Sequence, residues 1–223
     1  MRPALFVAAT LAALLPAGSA GAEALTASAA RPMPPAAPAG QAPELIPGTL
    51  TLSGVADGGY TLRLDGVITP DVAGRFAALV DRLPTGAPLT IALRSPGGYT
   101  SAGYAMIDRV MRERAAGRRV DTRVGPGDFC ESMCVGLFMA GESRLAAPDA
   151  EFMVHAPRGL KSGAVTLRSV RRMMDRLRDL GASDAWLRQV EAAGGFSGRL
   201  DYRVRAARLA EDGAGVVTAL DRP

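Results

Sequence analysis

Short strand-like runs alternate with helical patterns from Gly48 to Leu220, and this alternation limits the possible folds more than any other feature. Two such runs flank Asp57-Gly58-Gly59, which predicts a hairpin. Thr69-Pro70 predicts a helix start, because threonine caps helix N-termini and proline suits the first helical position. Strands and helices that alternate in this way predict an α/β domain with a mainly parallel sheet.

The remaining elements follow from periodicity and from glycine and proline punctuation. Predicted strands cover Thr49–Val55, Tyr60–Leu64, Leu89–Leu93, Arg119–Val124, Arg144–Ala147, Glu151–His155 and Gly215–Leu220. One predicted helix begins at Pro70. The others cover Ser101–Ala116, Met133–Ala140, Val165–Leu180, Ser183–Ala193 and Arg205–Asp212. The sequence Gly125-Pro126-Gly127 predicts a loop.

The N-terminal segment has the pattern of a secretory signal peptide over residues 1–22. Arg2 precedes an uncharged apolar run over Ala4–Leu15, which is shorter than the roughly 20 residues of a spanning helix. Ala20-Gly21-Ala22 offers small residues for cleavage, and an uncleaved anchor is the alternative. Residues 23–47 are rich in proline and alanine and predict a linker, so residues 48–223 remain for one domain. The mature protein is expected in the periplasm or outside the cell.

Charge and composition exclude several partners. The chain has 26 basic and 22 acidic residues and a formal net charge of +4, an excess too small to predict a nucleic-acid partner. Gly97-Gly98 follows a predicted strand but lacks the continuation of a nucleotide-binding motif. Two cysteines and one histidine make a poor zinc site, so no metal or cofactor is predicted.

Two residues could carry hydrolytic chemistry. His155 is the only histidine in the chain, and a lone histidine at a strand end is more often structural than catalytic. Ser132 lies where a Gly/Pro loop meets an apolar helix, a place where serine most often only caps the helix. Neither residue predicts an activity by itself.

The order of three motifs is more specific. Ser95-Pro96-Gly97-Gly98 follows one predicted strand, C-E-S-M-C over Cys130–Cys134 precedes a short helix, and M-V-H-A-P over Met153–Pro157 ends a later strand. This order resembles the proteolytic subunit of the Clp protease and its wider ClpP/crotonase superfamily, over roughly Asp65 to Leu220. The resemblance implies a spiral of β-β-α units with a mainly parallel sheet and a C-terminal helical handle.

The same resemblance implies catalytic roles. Ser132 is the implied nucleophile, His155 the base that takes its proton, and Asp201 the acid that orients the imidazole. Asp212 and Asp221 are nearby alternatives for the acid.

An oxyanion hole is also implied by the resemblance, formed by the backbone N–H groups of Gly98 and Met133. Gly98 has no side chain to obstruct an approaching carbonyl. The N–H of Met133 is an unpaired donor at a predicted helix N-terminus, where the helix dipole favours negative charge.

Cys130 and Cys134 are the only cysteines, and they flank the serine. On one helix their Cα atoms would lie about 6.2 Å apart, within the range of a disulfide. An oxidising periplasm favours that disulfide, and two reduced thiols packed as small hydrophobes are the alternative. The C-x-S-x-C pattern is closest to that of secreted bacterial ClpP-like proteins. Together with the linker, it predicts no ATPase partner.

The predicted Val165–Leu180 helix combines five arginines with an apolar stripe. A solvated basic face beside a buried stripe is the ordinary interpretation. In Clp-like proteins this segment is the handle where subunits meet, so the resemblance favours a homodimer through residues 165–180.

The main hypothesis is a periplasmic serine hydrolase of the peptidase type that acts on a peptide or protein substrate. A catalytically inactive ClpP-fold module that binds peptide in the same groove is the alternative. An acyl-CoA enzyme of the crotonase type is disfavoured, because export separates the protein from CoA. A Ser–Lys peptidase would need Lys161, the only lysine, which lies beyond the histidine strand.

Overall fold

The computed structural model describes residues 46–159 and 162–221 of the chain. The predicted signal peptide, nearly all of the predicted linker and Lys161 lie outside the described residues. The strands are β1 (Thr49–Gly54), β2 (Tyr60–Asp65), β3 (Leu89–Arg94), β4 (Val120–Val124), β5 (Phe129–Glu131), β6 (Arg144–Ala146), β7 (Glu151–Val154), β8 (Tyr202–Arg205) and β9 (Ala219–Leu220). The helices are α1 (Pro70–Asp81), α2 (Thr100–Ala115), α3 (Met133–Met139), α4 (Leu167–Asp179), α5 (Asp184–Ala192) and α6 (Ala206–Glu211).

The larger sheet has six strands in the order β1-β2-β3-β4-β6-β9. β1 and β2 form the predicted antiparallel hairpin, and the other neighbours in this sheet pair in parallel. The prediction of an α/β fold with a mainly parallel sheet is therefore confirmed. Ile91 and Leu93 of β3 are fully buried, in one core with Phe76 of α1 and Ile107 of α2.

A smaller sheet of three strands, β5-β7-β8, lies at the end of β3. β5 runs parallel to β7, and β8 runs antiparallel to it. An isolated bridge between Ser95 and Cys130 connects the end of β3 to β5. The sequence analysis predicted neither β5 nor β8, because each is a short segment whose extended form depends on pairing with β7.

Helix starts follow local capping chemistry. The Thr69 hydroxyl accepts a hydrogen bond from the Val72 N–H at 3.3 Å, with Pro70 in the first turn as predicted. α4 begins at Leu167 rather than at the predicted Val165, because Thr166 forms a capping box with Ser169. None of the helices in the described ranges is long and apolar enough to cross a membrane.

Candidate active site

Ser132 lies between β5 and α3 in a strained backbone conformation. Its φ of 54° is the only positive φ of a non-glycine residue in the described part of the chain. Its N–H donates to the Met153 carbonyl at 2.7 Å, and its carbonyl accepts from the Val135 N–H at 3.0 Å. The hydroxyl makes no capping hydrogen bond to α3, so helix capping does not explain this serine. Strain of this kind persists where the surrounding structure imposes it, most often at functional sites.

The Ser95–Gly98 turn packs directly against the Ser132 turn. A Cβ on Gly97 would lie 2.6 Å from the Glu131 carbonyl oxygen and 2.8 Å from the Ser132 Cβ. The Ser95 hydroxyl, which is fully buried, accepts a hydrogen bond from the Gly97 N–H at 3.1 Å. The two turns can approach this closely only because position 97 has no side chain.

Two backbone donors face the cavity beside Ser132. The N–H groups of Gly98 and Met133 donate to no acceptor among the residues that the structure describes, and both residues line the same cavity as Ser132. A Cβ on Gly98 would lie 2.1 Å from the Ile68 carbonyl oxygen, at a φ of +153°. The Gly98 position thus requires glycine for its own backbone packing, in addition to the access predicted from the sequence.

His155 follows β7 and lines the same cavity as Ser132. Its Nδ1 lies 2.8 Å from the Ala156 carbonyl oxygen. A carbonyl can only accept, so this contact requires a proton on Nδ1, and the neutral imidazole in this tautomer carries its free lone pair on Nε2. In the described residues no hydrogen bond joins Ser132 to His155, as is common before substrate binds.

Asp201 immediately precedes β8. The antiparallel ladder ends with the pair Val154 and Tyr202, so His155 and Asp201 are the residues that directly follow and precede this last pair. No hydrogen bond or ion pair connects these two side chains within the described ranges, where the Ala156 carbonyl holds Nδ1 instead. The role of Asp201 remains a prediction, and sequence reasoning had not anticipated the carbonyl.

The two alternative acids have other partners. Asp212 receives a hydrogen bond from the Arg208 guanidinium at 2.9 Å, and Asp221 receives one from Arg123 at 2.7 Å. Neither lines the cavity that contains Ser132. Asp201 forms no such ion pair among the described residues, and the choice of the acid remains a prediction.

A disulfide brackets the nucleophile turn. Cys130 of β5 is bonded to Cys134 of α3, with a Cα–Cα distance of 5.2 Å, which confirms the predicted pairing. Both residues are fully buried. The bond ties the strand before Ser132 to the helix after it.

The cavity has a volume of about 1100 Å³ and lies between α2, α3 and α4. Ser132, His155, Gly98 and Met133 line it, whereas Asp201 does not. In residues 46–159 and 162–221 no three histidine, cysteine, aspartate or glutamate side chains gather where they could hold a metal ion.

Comparison with known proteins defines the class. The family model of the Clp protease matches residues 68–184, which include the serine, the histidine and both glycines of the turn, and the chain belongs to this family. A search of curated proteins finds no match.

Among solved structures, the chain is similar to a mutant of ClpP1 from Listeria monocytogenes. The sequences are 19% identical, the TM-score is 0.51, and the match covers 73% of this chain and 91% of that one. This likeness concerns the fold.

Proposed function

We propose that the protein is a serine hydrolase of the peptidase type, with Ser132 as nucleophile and His155 as general base. One observation carries this proposal. The only strained non-glycine residue in the described chain is a serine, and it lines a cavity with a histidine and two unoccupied backbone donors. Membership of the Clp protease family supports the same reaction class.

The geometry supports a two-step acyl transfer. The Ser132 Oγ attacks the carbonyl carbon of the scissile bond while His155 Nε2 takes the hydroxyl proton. The carbonyl oxygen becomes an oxyanion, which accepts hydrogen bonds from the Gly98 and Met133 N–H groups. His155 then donates the proton from Nε2 to the leaving amine. A water molecule, deprotonated by the same nitrogen, hydrolyses the acyl-enzyme and restores Ser132.

Kinetics of single and double variants test the nucleophile and the base. We expect Ser132→Ala and His155→Ala each to lower kcat by roughly 10³-fold or more, and the double variant to lose little more, since the two residues act as one unit. Retained hydrolysis in either variant would contradict the proposal. Peptide binding without hydrolysis by the wild type would instead support the inactive module.

Asp201 is proposed as the acid that stabilises the imidazolium. Its position next to the last pair of the β7–β8 ladder, on the side where His155 leaves β7, supports this role. We expect Asp201→Asn to reduce kcat by about 100-fold while leaving KM nearly unchanged, less than loss of the serine. Asp212→Asn is the matched control, because Asp212 pairs with Arg208 away from the cavity. Equal effects of the two changes would remove Asp201 from the mechanism.

The remaining sequence predictions complete the proposal. Residues 1–22 direct export, residues 23–47 act as a linker, and the mature enzyme works in the periplasm or outside the cell on peptide or protein substrates without an ATPase partner. A homodimer through the 165–180 segment is the proposed assembly. No cofactor or metal is assigned to the reaction.

A further inference from the structure

Among the residues that the structure describes, the cavity that contains Ser132 is lined by cations and by no carboxylate. Four arginines contribute to its wall, and no aspartate or glutamate of residues 46–159 and 162–221 does so. They are Arg158, Arg168, Arg172 and Arg176. A cavity with one sign of charge and poorly hydrated walls attracts ligands of the opposite sign.

Three of these arginines form one row on α4. Arg168, Arg172 and Arg176 are spaced four residues apart, so they lie on the same face of the helix. Met173 and Leu177 line the cavity beside them and give the same wall an apolar part. The wall thus combines apolar contact with positive charge.

The charges of this row are only partly compensated within the chain. Arg168 and Arg172 form no ion pair among the described residues. Arg176 pairs with Asp108, which lies outside this cavity, and its buried Nε has no hydrogen-bond partner in the described structure.

The hydroxyl of Tyr104 lies in the electrostatic field of two of these arginines. Burial raises the pKa of its hydroxyl, and the positive charges of Arg172 and Arg176 act against that rise. The Arg176 guanidinium lies over the Tyr104 ring, 5.9 Å from its centre. The two arginines therefore lie close to Tyr104, which also lines the cavity.

From this arrangement we propose that the site selects peptides with a glutamate or aspartate side chain close to the scissile bond. The substrate carboxylate pairs with Arg168 and Arg172, and neighbouring apolar side chains pack on Met173 and Leu177. The inference rests on the proposed function, because it assumes that Ser132 marks the position of the scissile bond.

Binding and hydrolysis of two matched peptide sets test this inference. One set consists of short fluorescein-labelled peptides of alternating Glu and Leu, and the other has Gln in place of Glu. Ser132→Ala protein is used for binding, so that cleavage does not interfere, and wild-type protein is used for hydrolysis. We expect roughly tenfold preference for the Glu peptides, since each partly exposed ion pair contributes a few-fold, and a loss of this preference at about 1 M salt.

Two double variants with the same change in charge test whether Arg168 and Arg172 cause the preference for Glu peptides. Arg168→Gln with Arg172→Gln should bring the two peptide sets to nearly equal affinity. Arg171→Gln with Arg188→Gln removes the same charge from residues outside this cavity and should leave the preference intact. Equal affinity of wild-type protein for both sets, or equal loss in both double variants, would overturn the inference.

The two proposals fail in different ways. Hydrolysis at Ser132 with no preference for Glu would retain the activity and overturn the charge selection. Binding that prefers Glu and depends on Arg168 and Arg172, in a protein that cleaves neither set, would retain the selection and overturn the peptidase activity.

Discussion

Gly97 leaves the space into which the nucleophile turn packs. Its φ of +87° suits glycine, and a Cβ there would lie 2.9 Å from the Met133 N–H nitrogen as well as close to Ser132. A Cβ at position 97 would therefore strain the backbone and would also displace both the Ser132 nucleophile and the Met133 oxyanion donor.

Gly97→Ala is expected to lower kcat by about 100-fold, because displacement of catalytic groups by about 1 Å has effects of this size. Gly117→Ala is the control, since Gly117 has the same φ of +87° and open space around it. Both changes should cost about 1–2 kcal/mol through left-handed strain, and Gly97→Ala should cost more, because its Cβ also meets backbone atoms. Thermal melts and peptide hydrolysis measure the two effects separately, and a fully active Gly97→Ala enzyme would contradict the packing argument.

At the scale of single residues, the sequence motifs identified most of the residues of the candidate site. Ser132, His155 and Gly98, which the motif order singled out, line one cavity, and each lies next to a strand end or a helix start that local patterns define. Their catalytic roles remain predictions. The Ala156 carbonyl at Nδ1 could not be predicted, since any residue supplies such an oxygen. The positive φ of Ser132 also has no signal in side-chain identity.

Among the elements, β5 and α3 hold the nucleophile between them. The Cys130–Cys134 disulfide joins them covalently, in addition to the one backbone hydrogen bond that anchors Ser132 to β7. The loop that this bond closes is short. Loss of the disulfide therefore lowers the free energy of unfolding by only about 2 kcal/mol, through the greater entropy of the unfolded chain. Its larger effect falls on the geometry of the turn.

Cys130→Ala with Cys134→Ala is expected to reduce kcat about tenfold or more, while the free energy of unfolding falls by about 2 kcal/mol. Denaturant unfolding and steady-state hydrolysis measure the two quantities. Reduction of the native protein with a phosphine should reproduce the kinetic effect, and reoxidation should reverse it. Unchanged kcat in the double variant would show that the turn keeps its geometry without the bond.

The elements that the sequence did not predict are the two outer strands of the small sheet. β5 has three residues and follows a Gly/Pro loop, so no periodicity distinguishes it from that loop. β8 contains Tyr202 and Val204 in alternation, a weak strand signal that the nearby helical pattern concealed. Longer elements such as α1 and β3 were predicted nearly to the residue.

For the whole molecule, the position of α4 determines both the cavity and the proposed assembly. Val170, Met173 and Met174 are half-buried against the core of the same chain, whereas Leu167 is 79% exposed. The sequence showed the arginine row and the apolar stripe, but only the tertiary arrangement shows that they border the cavity of Ser132.

Light scattering is expected to give twice the mass of the mature chain, with α4 at the interface. Leu167→Glu should shift the protein toward monomer, because it places a charge in that interface. Val55→Glu is the control, since Val55 is an exposed apolar residue that directly follows β1 and is not part of α4, at 48% exposure. A monomer at all concentrations would contradict the dimer proposal.

The central claim is that Ser132 is a nucleophile activated by its surroundings, and covalent labelling tests it most directly. The mature protein is treated with a fluorophosphonate probe, and mass spectrometry of its peptides locates the adduct. We predict stoichiometric modification at Ser132, strong reduction of labelling in His155→Ala, and none in Ser132→Ala protein with an unchanged melting temperature. An unmodified Ser132 in folded wild-type protein would contradict the account.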